Sequence, residues 1–545
     1  MVDRSLLVVG CLLALICTLS PCAAQTPTIV WDQPLPVFVD DIVVVDLDGG
    51  LPEILVSSGG GAPDVVVLNS TGTVVATFSG FTGASRDLCV ADIDGDGSLD
   101  IVVANSGSAY AVNISSGYFG APWTHYPQQP YMLVAGDLNG DGAAEVVGSG
   151  SGQSHLWVYD TVAGSRTHLS LPTLPHHHQF TWSSIAICDL EFDGTKELVL
   201  APSLDTFPTA IYIVDGPSLS LRQGFPSTVP GENFHSLTVA DYDRSHTNKL
   251  AGFGGGRLDF LRGDGSLFGT PINLSAYPYT HGRMAVGQLD SESHLEAVVP
   301  TAESLWVVRD RFGPNGGILF QSPPGPYDLY RHPVIGDVDG DGVQEIVVIS
   351  SRVSLNCDPY IHVFEADLTP LPGWPKRLLD YATPGVAPYY VLEEVTLADL
   401  NGDNVVDIVV GLVDRVLVWT LYNAPPLPTL TPPEWPQSRG GPDNNADYHR
   451  GTIPPASFLR SDANGDGVAD VSDGIRILES LFAGLALACP ASADVDDSSA
   501  VDLADVTTLF AYLFGVSVLP PAAPFPRCGS HPFNASMPCP HYYCP

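Results

Sequence analysis

Ala91-Asp-Ile-Asp-Gly-Asp-Gly-Ser-Leu-Asp-Ile-Val-Val-Ala-Asn105 decides the fold. Asp92, Asp94, Asp96 and Asp100 put oxygen side chains at positions 1, 3, 5 and 9 of a nine-residue loop. Gly95 and Gly97 allow the tight turn that brings those side chains inward. This is the ligand order of a calcium loop, in which position 7 adds a backbone carbonyl. A helix-flanked loop would continue into a helix with a carboxylate at position 12. Here Ile101-Val-Val103 follows at once, a β-branched run that reads as a strand. The loop therefore joins two strands.

The same unit recurs at Asp46, Asp137, Asp189, Asp241, Gln288, Asp337 and Asp399, with starts 45 to 62 residues apart. That period belongs to propellers and arrays. Further copies are Asp137-Leu-Asn-Gly-Asp-Gly-Ala-Ala-Glu145, Asp337-Val-Asp-Gly-Asp-Gly-Val-Gln-Glu345 and Asp399-Leu-Asn-Gly-Asp-Asn-Val-Val-Asp407. From about residue 28 to 450 the chain resembles the FG-GAP/VCBS repeats of calcium-loop β-propellers. The resemblance implies calcium ligands at Asp92, Asp94, Asp96 and Asp100; at Asp137, Asn139, Asp141 and Glu145; at Asp189, Glu191, Asp193 and Glu197; at Asp337, Asp339, Asp341 and Glu345; and at Asp399, Asn401, Asp403 and Asp407.

Three loops depart from the pattern. Asp46–Glu53 is one residue short. Repeat five carries Lys249 at position 9, where no calcium is expected. Repeat six opens on Gln288 but keeps Asp290, Glu292 and Glu296. All eight units still match in their strands, so ions read as local staples and not the sole source of the fold. Glu53–Val56, Val65–Leu68 and Val74–Phe78 complete repeat one, and four strands per unit is the blade of a propeller. The last repeat shows no fourth strand before the Pro-rich Ala424–Pro433, while Thr28–Trp31 has nothing else to pair with. A borrowed strand closes the ring and covers a sheet edge. The expectation is an all-β propeller of eight blades, with seven as the alternative. Trp435-Pro-Gln437 opens a stretch that resembles the closing segment of such propellers.

After a linker at 451–458 the pattern changes. Asp462, Asn464, Asp466, Asp470 and Asp473 stand at positions 1, 3, 5, 9 and 12 of a longer loop. Asp494, Asp496, Ser498, Asp502 and Asp505 repeat it 32 residues on. Val506, Leu509, Phe510, Leu513 and Phe514 then make one helical apolar face, matched 32 residues earlier by Gly474, Ile477, Leu478, Leu481 and Phe482. Residues 459–518 resemble a dockerin, a small all-α calcium-binding module that docks on a cohesin. The pairs Val471-Ser472 and Leu503-Ala504 stand where that family usually reads its partner with a Ser-Thr type pair. A cohesin-like partner, another surface protein, or a plain calcium cap all stay open.

Residues 1–24 read as a secretory signal peptide, with an apolar run Leu6–Leu19 and the small-residue end Cys22-Ala-Ala24. The mature protein is expected outside the cell, with no membrane span. A net charge of −39 argues against nucleic acid as a partner. Of 61 acidic residues, 34 stand at ligand positions of the ten loops, so the acidity is concentrated in candidate cation sites. Cys89 and Cys188 read as buried small hydrophobes. Cys489, Cys528, Cys539 and Cys544 allow three disulfide connectivities, and spacing favours 489–528 with 539–544 across the Cys-rich tail 519–545.

No nucleophile elbow, zinc-protease motif or phosphate loop occurs in the sequence, and His176-His-His178 reads as a polar loop. If strand one of each blade lines the channel, its start opens opposite the calcium loops. Asp40 and Asp41, Arg86 and Asp87, Tyr131, Ser183, His235 and Ser236, Arg283, Arg331 and His332, and Glu393 and Glu394 then ring that mouth, with Trp182 and His281 nearby. Arg86, Trp182, His235, His281, Arg283, Arg331 and His332 are the candidate ligand-binding residues. Mixed charge with aromatics suits a carbohydrate or cell-surface protein ligand. The alternatives are a polysaccharide lyase or hydrolase, with His235, His281 or His332 as base beside Arg283 or Arg331, and a structural adhesion protein.

Overall fold

The computed structural model describes residues 27–441 and 459–515, apart from short stretches of which the longest are 114–122, 171–184 and 384–393. The chain divides into two compact units, Met1–Tyr448 and His449–Pro545.

The first unit is an eight-bladed propeller. Eight antiparallel sheets follow one another along the chain, each with its strands in sequential order. The first strands are Val39–Val45, Ser85–Ala91, Pro130–Gly136, Ile185–Cys188, Ser236–Ala240, Ala285–Gly287, Leu329–Gly336 and Val395–Ala398. Each lies beside the first strand of the next blade, and the last lies beside the first. These are the innermost strands. Strands one to three are short runs such as Ile54-Leu-Val56, Val65-Val-Val67 and Ile408-Val-Val410, buried on both faces. Alternate residues of one run therefore feed different cores. Val43 and Leu55 pack toward blade two, while Ile42 and Val56 pack toward blade eight. Every neighbouring pair of blades shares such a cluster. Burying each Val, Leu or Ile is worth roughly 1.5–3 kcal/mol, so these seams carry the ring.

The last blade is completed from the other end of the chain. Thr28–Pro34 pairs antiparallel with Arg415–Thr420 and forms its outer strand. Arg415 fixes the join through Asp32 at 2.8 Å. Trp31 donates its indole N–H to the Ser70 carbonyl of blade one at 2.9 Å and lies against Gly72, where a Cβ would meet the ring at 2.8 Å. The eight-blade expectation and the borrowed strand both hold, and the short first repeat sits within the ring. A second closure lies at the inner strands. Ile335 and Trp435 exchange both backbone hydrogen bonds (2.9 and 3.0 Å), Leu397 donates to the Pro436 carbonyl, and Gln437 donates to the Val44 carbonyl at 2.8 Å. Residues 435–437 thereby tie the inner strands of blades seven, eight and one.

The second unit holds two helices, Val471–Ala483 and Leu503–Leu513, with a short turn of helix at Pro490–Ala493 between them. Ile477, Val506 and Leu509 are buried between the helices. Gly474 allows this contact, because a Cβ there would meet the Phe510 ring at 2.3 Å. The apolar faces expected from the sequence are only partly buried: Leu481, Phe482 and Phe514 are exposed.

A chain beginning at Leu35 is expected to unfold at a lower temperature and to aggregate in a concentration-dependent way. Its last sheet would present Arg415–Thr420 as an open edge. Thermal unfolding with light scattering checks this.

Candidate metal centre

The loops of blades two, three, seven and eight share one internal geometry, set by backbone N–H groups. The position-1 carboxylate accepts from positions 4 and 6: Gly95 and Gly97 on Asp92 (2.8 and 2.9 Å), Gly140 and Gly142 on Asp137, Gly340 and Gly342 on Asp337, Gly402 and Asn404 on Asp399. Position 3 accepts from position 5, through Asp94, Asn139, Asp339 and Asn401. Position 5 accepts from position 7, through Asp96, Asp141, Asp341 and Asp403. The position-9 carboxylate, at the head of strand two, accepts from position 2: Ile93 on Asp100, Leu138 on Glu145, Val338 on Glu345, Leu400 on Asp407. Positions 4 and 6 need positive φ, supplied by Gly95 (+73°) and Gly97 (+86°). At Asn404 (+64°) it falls on the residue type that tolerates it best after glycine.

These bonds leave further carboxylate oxygens facing one another. In blade seven Asp337, Asp339 and Glu345 bring oxygens within 4.8 Å. Glu345 is fully buried; its Oε2 accepts from Val338 and its Oε1 has no hydrogen-bond partner within the protein. A buried carboxylate oxygen without a partner is costly unless a cation meets it. Asp92, Asp94 and Asp96 converge within the same distance, as do Asp141, Glu145 and Asp160. Asp160 lies outside the nine-residue motif. It faces Glu145 across strands two and three, and Glu365 holds the corresponding place beside Glu345 in blade seven. Spacing within the loop could not reveal either residue; strand pairing does. The oxygen-only donor set suits a hard divalent cation.

The remaining loops are filled differently. In blade four Arg222 reaches Glu191, Glu197 and Asp215, each at 2.7 Å. Two of the carboxylates expected to hold calcium there are thus occupied by a guanidinium, while Asp189 accepts from Gly194 and Asp193 lies outside the described residues. In blade five Lys249 turns its ammonium onto Asp243 (3.0 Å) and Thr247 (2.7 Å to the carbonyl, 2.6 Å to the hydroxyl). In blade six Arg309 bonds Glu296 at 2.7 Å and contacts Asp290. Blade one keeps Glu53 half-exposed, accepting from Leu47 at 3.0 Å.

The two C-terminal loops place Asp462, Asp473, Asp494 and Asp505 in full burial. Asp494, Asp496 and Asp505 converge within 4.8 Å. Asp470 and Asp502, at position 9, accept from Ser472 and Ala504 at 2.7 and 2.6 Å and so cap the helices that follow. Position 12 holds the loop backbone: Asp473 accepts from Asn464 and Asp470, Asp505 from Val495, Asp496 and Asp502. Asp466 and Ser498 lie outside the described residues.

The opposite end of the inner strands shows a second periodic arrangement. In blades one, two and five the side chain five residues before the loop takes a backbone N–H of the next blade: Leu88 donates to Asp41 (2.9 Å), Leu133 to Asp87 (2.6 Å) and Met284 to Ser236 (2.9 Å). Bulges at Asp40 and Arg86 set the residues before the Asp41 and Asp87 braces out of register, and blade three bulges at Tyr131. In blade seven the bulge falls at His332-Pro333, and His332 has a φ of +47°. Arg283 donates its backbone N–H to His332 Nδ1 at 3.4 Å and pairs with Glu394 at 2.9 Å. Arg283 and His332 are 4 % and 7 % exposed. Both side chains are buried, and these contacts link one blade to another. Arg331 is half-buried, the Arg86 backbone lies in a strand, and Trp182, His235 and His281 lie outside the described residues. So do the cysteines beyond Cys89 and Cys188, which are buried and unbridged.

No family model matches this chain, and no curated protein matches it in sequence. Solved structures do. BBS1N in complex with ARL6DN has a TM-score of 0.41 at 10 % identity, covering 73 % of this chain and 98 % of that one. The rhamnogalacturonan lyase PL11 of Bacillus licheniformis has a TM-score of 0.35 at 15 % identity, covering 74 % and 93 %. The V. cholerae biofilm matrix protein Bap1 has a TM-score of 0.33 at 16 % identity, covering 70 % and 77 %. Among the described residues no helix is long and apolar enough to cross a membrane.

Burial pushes the loop carboxyls up: Glu345 to about 10, Glu145 and Asp407 to about 7, and Asp339 to about 6. Without an ion the folded protein keeps protons that the unfolded chain has released. This contribution is full below the ordinary carboxyl values and is lost as pH rises toward the folded ones. In chelator the unfolding midpoint should fall between about pH 5 and 8. Millimolar calcium should flatten or reverse that slope, since the ion favours the ionised form. Differential scanning calorimetry across pH, with and without calcium, checks both.

Proposed function

We propose that this chain is an exported binding protein: a calcium-stapled propeller that holds a carbohydrate or protein ligand. The observation that carries the cation reading is the buried Glu345 oxygen that has no partner within the protein, beside Asp337 and Asp339. Blades two, three and eight repeat the loop geometry and complete the proposed set, in keeping with the resemblance to FG-GAP/VCBS repeats. A binding role is the first reading; Arg283 and His332, one of the base and arginine combinations a lyase could use, brace the ring. The second unit fits a dockerin-like attachment module. Val471, Ile475 and Phe482 are exposed along one line of the first helix, and Leu503 and Phe514 on the equivalent line of the second. An apolar stripe on each of two related helices suits docking onto a cohesin-like or other surface protein.

Chelation should lower the midpoints of both units. One calcium site at a hundredfold excess over its Kd contributes about 2.7 kcal/mol. Asp337→Ala should remove the calcium response of one propeller loop and leave the C-terminal transition unchanged, while Asp462→Ala should do the reverse. Calorimetry that shows no response of either unit to chelator would remove the calcium reading. Arg283→Ala should destabilise the propeller by roughly 3 kcal/mol, the low end for breaking a buried pair. A glycan array on the mature protein, with and without chelator, tests the ligand class. Breakdown of a polyuronide by the wild type would replace binding with catalysis.

A further inference from the structure

We infer that Arg222, Lys249 and Arg309 decide which loops of the ring accept a divalent ion, because each is a built-in cation standing in an ion's place. The inference rests on the calcium reading of blades two, three, seven and eight. Three different positions in the repeat deliver the charge. Lys249 is itself the position-9 residue of its loop. Arg309 lies opposite position 9, facing Glu296 across the strands. Arg222 comes from the end of the outer hairpin, after Ser220–Leu221. All three reach the position-3 carboxylate of their loop: Glu191, Asp243 and Asp290. Both arginines also take the position-9 carboxylate, Glu197 or Glu296. What recurs is a positive charge at one spot, not a residue at one position.

Blade four decides the matter, since its acids are otherwise sufficient. Asp189, Glu191 and Glu197 fill positions 1, 3 and 9, and Asp215 faces Glu197 as Asp160 faces Glu145 in blade three. The guanidinium uses Glu191, Glu197 and Asp215 at once. A divalent ion would need the same oxygens, and two cations a few ångströms apart repel strongly where little water screens them. Blades four, five and six are consecutive. The ring therefore has an arc whose loops carry a built-in cation at every calcium level, and loops in blades seven, eight, two and three whose charge balance follows the calcium outside the cell.

The test is the number of calcium ions bound per chain, by equilibrium dialysis of the full-length mature protein and elemental analysis, with circular dichroism to confirm folding. Arg222→Ala should bind about one ion more than wild type, and calcium should restore the midpoint it loses in chelator. Glu191→Gln, in which Arg222 keeps Glu197 and Asp215, should bind as many ions as wild type. A folded Arg222→Ala that gains none, or a Glu191→Gln that loses one, overturns the inference. The wild-type count separately tests the calcium reading. A wild-type propeller that binds nothing, beside an Arg222→Ala that binds one ion, would remove that reading and keep this one.

Discussion

A carboxylate buried at the head of a β-strand must meet a positive charge, and the propeller is built around meeting that demand again and again. Asp100, Glu145, Glu197, Glu296, Glu345 and Asp407 are all at most 4 % exposed, and each takes the position-2 N–H of its own loop, with Asn139 and Asn401 adding donors to Glu145 and Asp407. One backbone bond does not compensate the burial of a full charge. The chain meets the rest of the demand in several ways. Arginine meets it in blades four and six. Blade five replaces the carboxylate by Lys249. Blade one leaves Glu53 partly in water. In blades two, three and seven the oxygens converge within 4.8 Å, and blade eight repeats the loop geometry, which is where calcium is proposed.

The loops do not act singly. The N–H of position 8 donates to the preceding loop: Ala144 to Asp92, Asn248 to Leu190 and Leu295 to Tyr242. At the opposite end the Asp41, Asp87 and Ser236 braces run the same way, each accepting from the blade ahead. Adjacent inner strands are thus tied at both ends with the apolar seams between them. This is why Arg283 and His332, placed at the mouth by position, serve the ring before they can serve a ligand.

The legible part of this protein was its periodicity. The oxygen spacing at Asp92–Asp100, repeated to Asp399–Asp407, together with the short β-branched runs, specified blades, their number and the unpartnered strand at Thr28. Those are local properties of sequence: alternation, turn glycines and ligand order. The degenerate loops of blades five and six were legible too, since Lys249 and Gln288 sit inside the motif. The two C-terminal helices were marked by the apolar periodicity after each loop; their caps, Asp470 and Asp502, were placed by the structure.

What only the tertiary structure decided is which charges meet. Arg222 is 25 residues from Glu197, and Asp160 and Glu365 are 15 and 20 residues from the carboxylates they face. No spacing rule joins them, because hairpin length varies from blade to blade and strand pairing alone sets who stands opposite whom. The fate of Arg283 and His332 was hidden for the same reason. A polar residue at a strand entrance looks alike in sequence whether it faces solvent or the backbone of the next blade; the bulge and the packing of neighbouring inner strands choose between them.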